Sequence, residues 1–378
     1  MKLCDSDKCY GCFSCINVCP KQCVSMHLGT NGHIVPKIDI EKCVDSGLCA
    51  RSCPVLKSNY VLNLPLHTYA AWNPDKAEQE KSSSGGMSAI LAKAIMGEGG
   101  VVYGAAFDEN WNVNHVRCES YEEISNICKS KYVQSWINDT YRLAETDLKQ
   151  HRKVMFAGTP CQIAGLKAFL QKDYEELLTV DLICHGTPSR AIYREEVEEK
   201  AQIKELQNIT FRGNYGYGYG YGFGFYYNSG LESFSIRQSY YMRGFMDGLF
   251  YRESCYQCPF AGKERIGDIT IGDFWGIGKK IPFSNPDQNR VSMLLVNTEK
   301  GQEWFGKISH RIYSEERMFE EAVSGNPQLQ HPSEKPQNYE QFKNLYPRIG
   351  LKKAAERAYP KMWLRLLLEK YKLIKITR

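Results

Sequence analysis

No run of 18 apolar residues occurs in the 378-residue chain, so no segment reads as a membrane-spanning helix. The opening MKLCDSDKCYG lacks the apolar stretch of a secretory leader. Charge of one sign is scarce as well. The 48 basic and 43 acidic residues leave a net +5 with no clustered basic face, which gives no case for nucleic acid. Hydrophobic residues at 43% and aromatics at 12% are enough for a sizeable core, and the length fits two or three domains. Cysteine is the excess, at fifteen residues. An odd count in a long chain, mostly at metal-ligand spacings, argues against a disulfide framework and for a reducing, cytoplasmic setting.

Cys9, Cys12, Cys15 and Cys19, followed by Pro20, have the spacing C-x2-C-x2-C-x3-C-P, the bacterial ferredoxin run that wraps a four-iron cluster. The run returns 34 residues later as Cys43, Cys49, Cys53 and Pro54, with Ser46 where Cys12 would map. Thiolates are soft ligands that suit iron–sulfur clusters. Three cysteines of a run hold one cluster, and the one before the proline reaches the other. Cluster one is therefore expected on Cys9, Cys12, Cys15 and Cys53. Cluster two is expected on Cys43, Cys49 and Cys19, with Ser46 at the remaining corner. That corner is open to an oxygen ligand, to a three-iron cluster, or to Cys4 or Cys23. Structural zinc is the competing reading of the C-x2-C pairs. Between the runs, alternation at 24–27 and 34–38 predicts a hairpin. Residues 1–60 thus read as an α+β, ferredoxin-like two-cluster domain, with 57–67 as a linker.

A different pattern follows. Thr68–Asn73 is a strand candidate. The loop Ser82–Gly86 precedes an amphipathic helix through Met87, Ile90, Leu91, Ala94 and Ile95, and Val101–Phe107 reads as a buried strand. A Ser/Gly loop opening a helix is an anion site or an ordinary helix cap. Lys153–Ala157 and Leu178–His185 are strand candidates, each followed by Gly-Thr-Pro, at 158–160 and 186–188, and then a helix. Two such units in succession predict an α/β body with a mainly parallel sheet and a ligand site outside the strands' carboxyl ends. Cys161 and Cys184 should meet there. Cys161, at a helix start, is expected to have a lowered pKa. Cys255 and Cys258 form a further C-x2-C, and with Cys161 and Cys184 they complete four ligands for one more cluster or a zinc ion. In Ile209–Phe225 glycine alternates with aromatics, which reads either as a strand with one aromatic face and one bare face open to a flat ring, or as a flexible low-complexity segment. Residues 352–378 read as a basic amphipathic helix, for packing on the body, for a partner or for peripheral membrane contact.

The segments SSSGGMSAILAKAI, SKYVQS, FAGTPCQIAGLKAFL, DLICHGTPS and CYQCPFAGKERIGDITIGDFWG, in this order, resemble the beta subunit of the coenzyme F420 (8-hydroxy-5-deazaflavin) reducing hydrogenases and dehydrogenases. The resemblance spans about residues 66–310. The plant 7-hydroxymethyl chlorophyll reductases are similar as well. The resemblance implies FAD beside a further four-iron cluster on Cys161, Cys184, Cys255 and Cys258. It places Ser84, Gly85, Gly86, Lys131, Gly158, Thr159, Gly186 and Thr187 near the flavin. Ser46 and the YGYGYGYGFGF run depart from its pattern. Similar proteins occur in bacteria where the deazaflavin is not expected, some beside polysaccharide genes.

The expected organisation is 1–60 ferredoxin domain, 66–150 flavin-side domain, 151–325 domain with the further cluster, and 326–378 polar tail and basic helix. The expected function is an iron–sulfur flavoprotein oxidoreductase that joins 4Fe-4S clusters to FAD and a small-molecule substrate, with a redox partner protein. An electron-transfer subunit without its own substrate and a structural metal protein of polysaccharide assembly are the rival readings. No motif assigns an acid or base; Lys131 and Asp273 are the nearest choices.

Overall fold

The computed structural model describes residues 3–29, 32–58, 60–214, 219–283, 290–371 and 373. The N-terminal repeat is written into the backbone. Gly11 and Phe13 have left-handed φ values of 63°, and 34 residues on Asp45 and Gly47 repeat this at 51° and 76°. Each pair turns the chain into a one-turn helix, Ser14–Asn17 and Leu48–Arg51. Strands β1 (Val24–Leu28) and β2 (Ile34–Ile38) form the expected hairpin, with Val24 opposite Ile38.

The body is built on β3 (His67–Trp72), β4 (Val101–Phe107), β5 (Val113–Cys118), β6 (Val154–Gly158) and β7 (Leu177–Leu182). A small antiparallel sheet of β8 (Leu206–Asn214), β9 (Tyr219–Tyr227) and β10 (Gly230–Ser235) follows. Strands β11 (Ile269–Asp273), β12 (Ser292–Val296) and β13 (Tyr313–Glu316) complete the main sheet, whose order is β13-β3-β12-β11-β7-β6-β4-β5.

This sheet is mixed, which corrects the expectation of a mainly parallel one. Parallel pairing is confined to the central block β4-β6-β7-β11. Outside it every pairing is antiparallel. A parallel return needs a long crossover, and the β4–β5 turn has only residues 108–112. On the other side β3, from far earlier in the chain, inserts between β12 and β13. No local pattern encodes that insertion. One sheet therefore draws strands from both 66–150 and 151–325.

Period-two alternation explains the two cores. Val102, Met155 and Leu178 face the helices Met87–Gly97 and Glu299–Ile308, while Val101, Tyr103, Val154 and Phe156 face Thr140–Lys149 and Pro160–Leu170. With both faces covered, the central strands read as continuous apolar runs. A third cluster joins β8 and β9 to helices Arg190–Lys200, Tyr240–Met246 and Tyr339–Ala358. It takes up much of the segment expected to be a polar tail, because Tyr339, Phe342 and Tyr346 have helical spacing and are buried. The helix Pro360–Lys370 has no fully buried residue and rests on this cluster through Met362 and Leu366.

Candidate metal and cofactor site

Two small cavities mark the N-terminal cysteine groups. The first is lined by Cys4, Cys9, Cys12, Cys15 and Cys53. The second is lined by Cys19, Cys23, Cys43, Ser46 and Cys49. Cys53 thus lies with the first run and Cys19 with the second, as the swapped assignment requires. Cys4 lies beside the thiols of Cys9 and Cys53 and is the largest cause of their lowered pKa values, about 6 and about 7. Burial raises Cys12 and Cys15. A coordinating metal removes the thiol proton outright, so these shifts belong to the metal-free chain.

The third group assembles from three elements. Cys161 opens the Pro160–Leu170 helix, where Thr159 and Gln162 form a capping box. Cys184 follows β7. Cys255 sits in the short 3-10 turn Glu253–Gln257, with Cys258 just beyond it. Burial is the main cause of the raised Cys184 pKa, and Cys255, Cys161 and Cys258 add to it as near neighbours. Burial raises Cys161 to about 11. The lowering expected at a helix start is not found in the metal-free chain, where burial is the main cause and raises the thiol. Two hydroxyls reach these sulfurs. Thr159 Oγ1 lies 3.3 Å from Cys161 Sγ, and Thr187 Oγ1 lies 3.9 Å from Cys255 Sγ. Among the described residues no three His, Cys, Asp or Glu side chains converge on a single ion. A cluster asks for no such convergence, since each cysteine takes a different iron.

Arg252 lies between the first and third groups. It is 2% exposed. Its guanidinium donates to Cys9 O at 3.2 Å, Ile34 O at 2.8 Å and Gln134 Oε1 at 2.8 Å. Its charge lowers the pKa of Cys9, Cys161 and Cys255. No carboxylate among the described residues pairs with it, and its Nε is buried without a partner. A second link is Gly165, one helical turn after Cys161. A Cβ there would lie 2.9 Å from Cys12 Cβ and 3.0 Å from Cys12 Sγ. Tyr10 fills the space beside it. Its hydroxyl is within electrostatic reach of Cys258, Cys161 and Cys12, and its ring packs edge-on against Phe260 at 5.6 Å.

A cavity of about 300 Å³ opens at the carboxyl ends of β4, β6, β7 and β11. Cys161 and Cys184 form part of its wall. Ser84, Gly86, Lys131, Gly158, Thr159, Gly186 and Thr187 line it too. Gly85 does not. Its N–H donates to Ser292 Oγ at 2.9 Å, and a Cβ would meet Ala71 O at 2.3 Å, so this glycine serves strand packing. Gly86 opens the Met87–Gly97 helix in a left-handed conformation without a side-chain cap. Lys131 Nζ donates to Cys128 O at 2.8 Å, and burial lowers its pKa to about 8. Asp273 accepts from Arg212 at 2.7 Å in a mostly buried ion pair on the same wall. His185 stands edge-on to Trp275 at 5.1 Å, and burial lowers its pKa to about 4. His115 donates from Nε2 to Ala157 O at 3.0 Å and accepts at Nδ1 from Ser135, as a neutral ring must.

The glycine–aromatic run forms the expected strand with an aromatic face, β9, but that face is buried rather than turned to a ligand. Residues 215–218 lie outside the described residues. Beyond them Phe223 and Phe225 are wholly buried against Phe211, Tyr193 and Tyr241. The aromatic face builds a core of its own, and among the described residues of this strand only Tyr221 lines the cavity. Sequence reasoning also missed Arg252 and the two threonine–sulfur contacts. Arg252 carries no signal, because a buried arginine has no local pattern. The threonines' position beside cysteines became readable only once the chain brought 187 to 255.

Comparison with known proteins matches residues 151–322 to the family described as the C terminus of the coenzyme F420 hydrogenase/dehydrogenase beta subunit. Residues 8–56 match a 4Fe-4S dicluster domain. A curated relative, the coenzyme F420-dependent sulfite reductase of Methanocaldococcus jannaschii, is 28% identical over 189 residues. The alignment covers 49% of this chain and 28% of that protein, so the chain spans little more than a quarter of the relative's length. A solved structure, the xenon-derivatised F420-reducing NiFe hydrogenase complex from Methanosarcina barkeri, aligns at a TM-score of 0.48 with 18% identity, covering 83% of this chain and 95% of that one.

Proposed function

From a chain that joins a 4Fe-4S dicluster domain to the C-terminal domain of a coenzyme F420 hydrogenase/dehydrogenase beta subunit, we propose an iron–sulfur oxidoreductase that holds three clusters and a FAD. The observation that carries this reading is the shared wall: two cysteines of the third group line the same cavity as the Ser/Gly loop, Lys131 and both Gly-Thr-Pro turns. The volume lies at the lower end of the range of ligand sites, and its position outside the carboxyl ends of parallel strands is where such sheets bind cofactors.

When bound, clusters and flavin supply one-electron and two-electron exchange. The chain supplies position, charge and protons. The uncapped start of the Met87–Gly97 helix presents backbone N–H groups toward an anionic group of the cofactor. Lys131 can hold or release a proton at Nζ near neutral pH. His185 and His115 stay neutral there and serve as fixed walls. Thr159 and Thr187 orient cysteine sulfurs, and hydrogen bonds to such sulfurs are one lever on cluster potential.

Iron, sulfide, zinc and released flavin, measured on one anaerobically purified sample, test the proposal. About twelve irons and one FAD per chain are expected. Iron without flavin would leave an electron carrier in its place. Zinc without iron or sulfide would remove the redox reading altogether.

A further inference from the structure

Ser46 interrupts the second cysteine run and stands at the rim of the second cavity. It is exposed, and its carbonyl accepts a hydrogen bond from Arg51 at 3.0 Å. Cys23, which belongs to neither run, is buried on the same cavity. Its Sγ lies 3.3 Å from Cys19 Sγ, and Cys43 is a near neighbour of it. Cys49 is a near neighbour of both Cys19 and Cys43, which closes the group of four.

The local backbone explains this placement. After Pro20 the N–H of Gln22 bonds back to Cys19 O at 3.2 Å, and Gln22 takes a left-handed φ of 49°. The turn brings Cys23 back beside Cys19. Asp39 N then donates to Cys23 O at 2.7 Å, which fixes Cys23 at the mouth of the β1–β2 hairpin. The apolar neighbours Val24 and Ile38 shield the group from water.

We infer that the second cluster is held by Cys19, Cys23, Cys43 and Cys49, and that Ser46 is not a ligand. Four thiolates then complete a four-iron cluster where the run alone offers three and a hard, weakly acidic hydroxyl. On metal loading the four thiols lose their protons to solvent and each sulfur takes one iron, so Cys19 and Cys23 separate from their contact distance. The inference rests on the iron–sulfur reading of the N-terminal domain.

The test compares Cys23→Ala, Ser46→Ala and the double variant Cys23→Ala/Ser46→Cys in the full chain, purified anaerobically. Iron, sulfide and low-temperature EPR spectra are the readouts. Ser46→Ala should keep the full iron count. Cys23→Ala should lose up to about a third of the iron, or show a new three-iron signal, while the signals of the other clusters persist. Restoring a cysteine at 46 in that background should return the missing iron. Loss of iron in Ser46→Ala with none in Cys23→Ala overturns the assignment, as does an unchanged count in both. Wild-type protein without iron would instead sink the underlying cluster reading.

Discussion

At the scale of single residues, burial decides the chemistry more than neighbours in sequence do. Cys161 sits where a helix dipole favours a thiolate, yet desolvation raises it to about 11. Lys131 is moved the other way by the same cause, down to about 8. Its sign in binding follows directly. The cation that attracts an anionic cofactor group is present below its pKa and lost above it. A bound anion favours the charged form and moves the loss upward. Cofactor affinity, followed by flavin fluorescence on release, should therefore fall as pH rises through and beyond about 8. Lys131→Arg, whose guanidinium does not titrate there, should hold affinity flat over that span. A wild-type profile as flat as the variant's would remove Lys131 from the binding site.

At the scale of elements, the Pro160–Leu170 helix does two jobs on one face. Cys161 and Gly165 are four residues apart and so point the same way. The first belongs to the third cysteine group, and the second lets Cys12 of the first group lie against the helix backbone. Tyr141 presses in as well, with its hydroxyl 2.9 Å from where a Cβ would stand. Gly165→Val should cost about 1–3 kcal/mol by overpacking, read as a lowered thermal midpoint. It should also cut the iron retained by the first cluster while sparing the second. Full iron and an unchanged midpoint would mean that the two groups are not packed as described. The same helix and its strand were legible in sequence, since Pro at the start, Thr159 before it and apolar periodicity all agree. The order of the strands around it was not, because β3 pairs with β12 and β13 from more than 200 residues away.

At the scale of the whole molecule, the cysteine groups stand in sequence. Cys15 of the first group feels Cys49 of the second, Cys12 abuts the helix that carries Cys161, and Cys161 and Cys184 reach the large cavity. Arg252 ties the ferredoxin domain to the body between the first and third groups. A buried guanidinium without a carboxylate needs compensation, and anionic clusters held by the cysteine groups on either side would provide it. Arg252→Gln should lower the reduction potentials of both clusters. One charge at ~7 Å and an effective dielectric of ~20 makes the shift on the order of 100 mV. Arg252→Lys keeps the charge and should stay nearer to wild type. Potentials unmoved in a Gln variant with full iron would refute this role, and redox titration monitored by EPR decides it.

The sequence by itself determined the three cysteine groups, the swap of Cys19 and Cys53, and the strand–turn–helix units that aim both Gly-Thr-Pro turns at one cavity. These rest on spacing and periodicity, which are local and therefore readable. Tertiary structure alone decided the mixed sheet, the aromatic core that absorbs β9, the place of Gly85 in packing rather than in the cavity wall, Arg252 between two cysteine groups, and Cys23 beside Cys19 and Cys43. Each of these depends on segments that meet only after the chain has folded, or on how deeply a side chain is withdrawn from water, and no spacing in the chain records either.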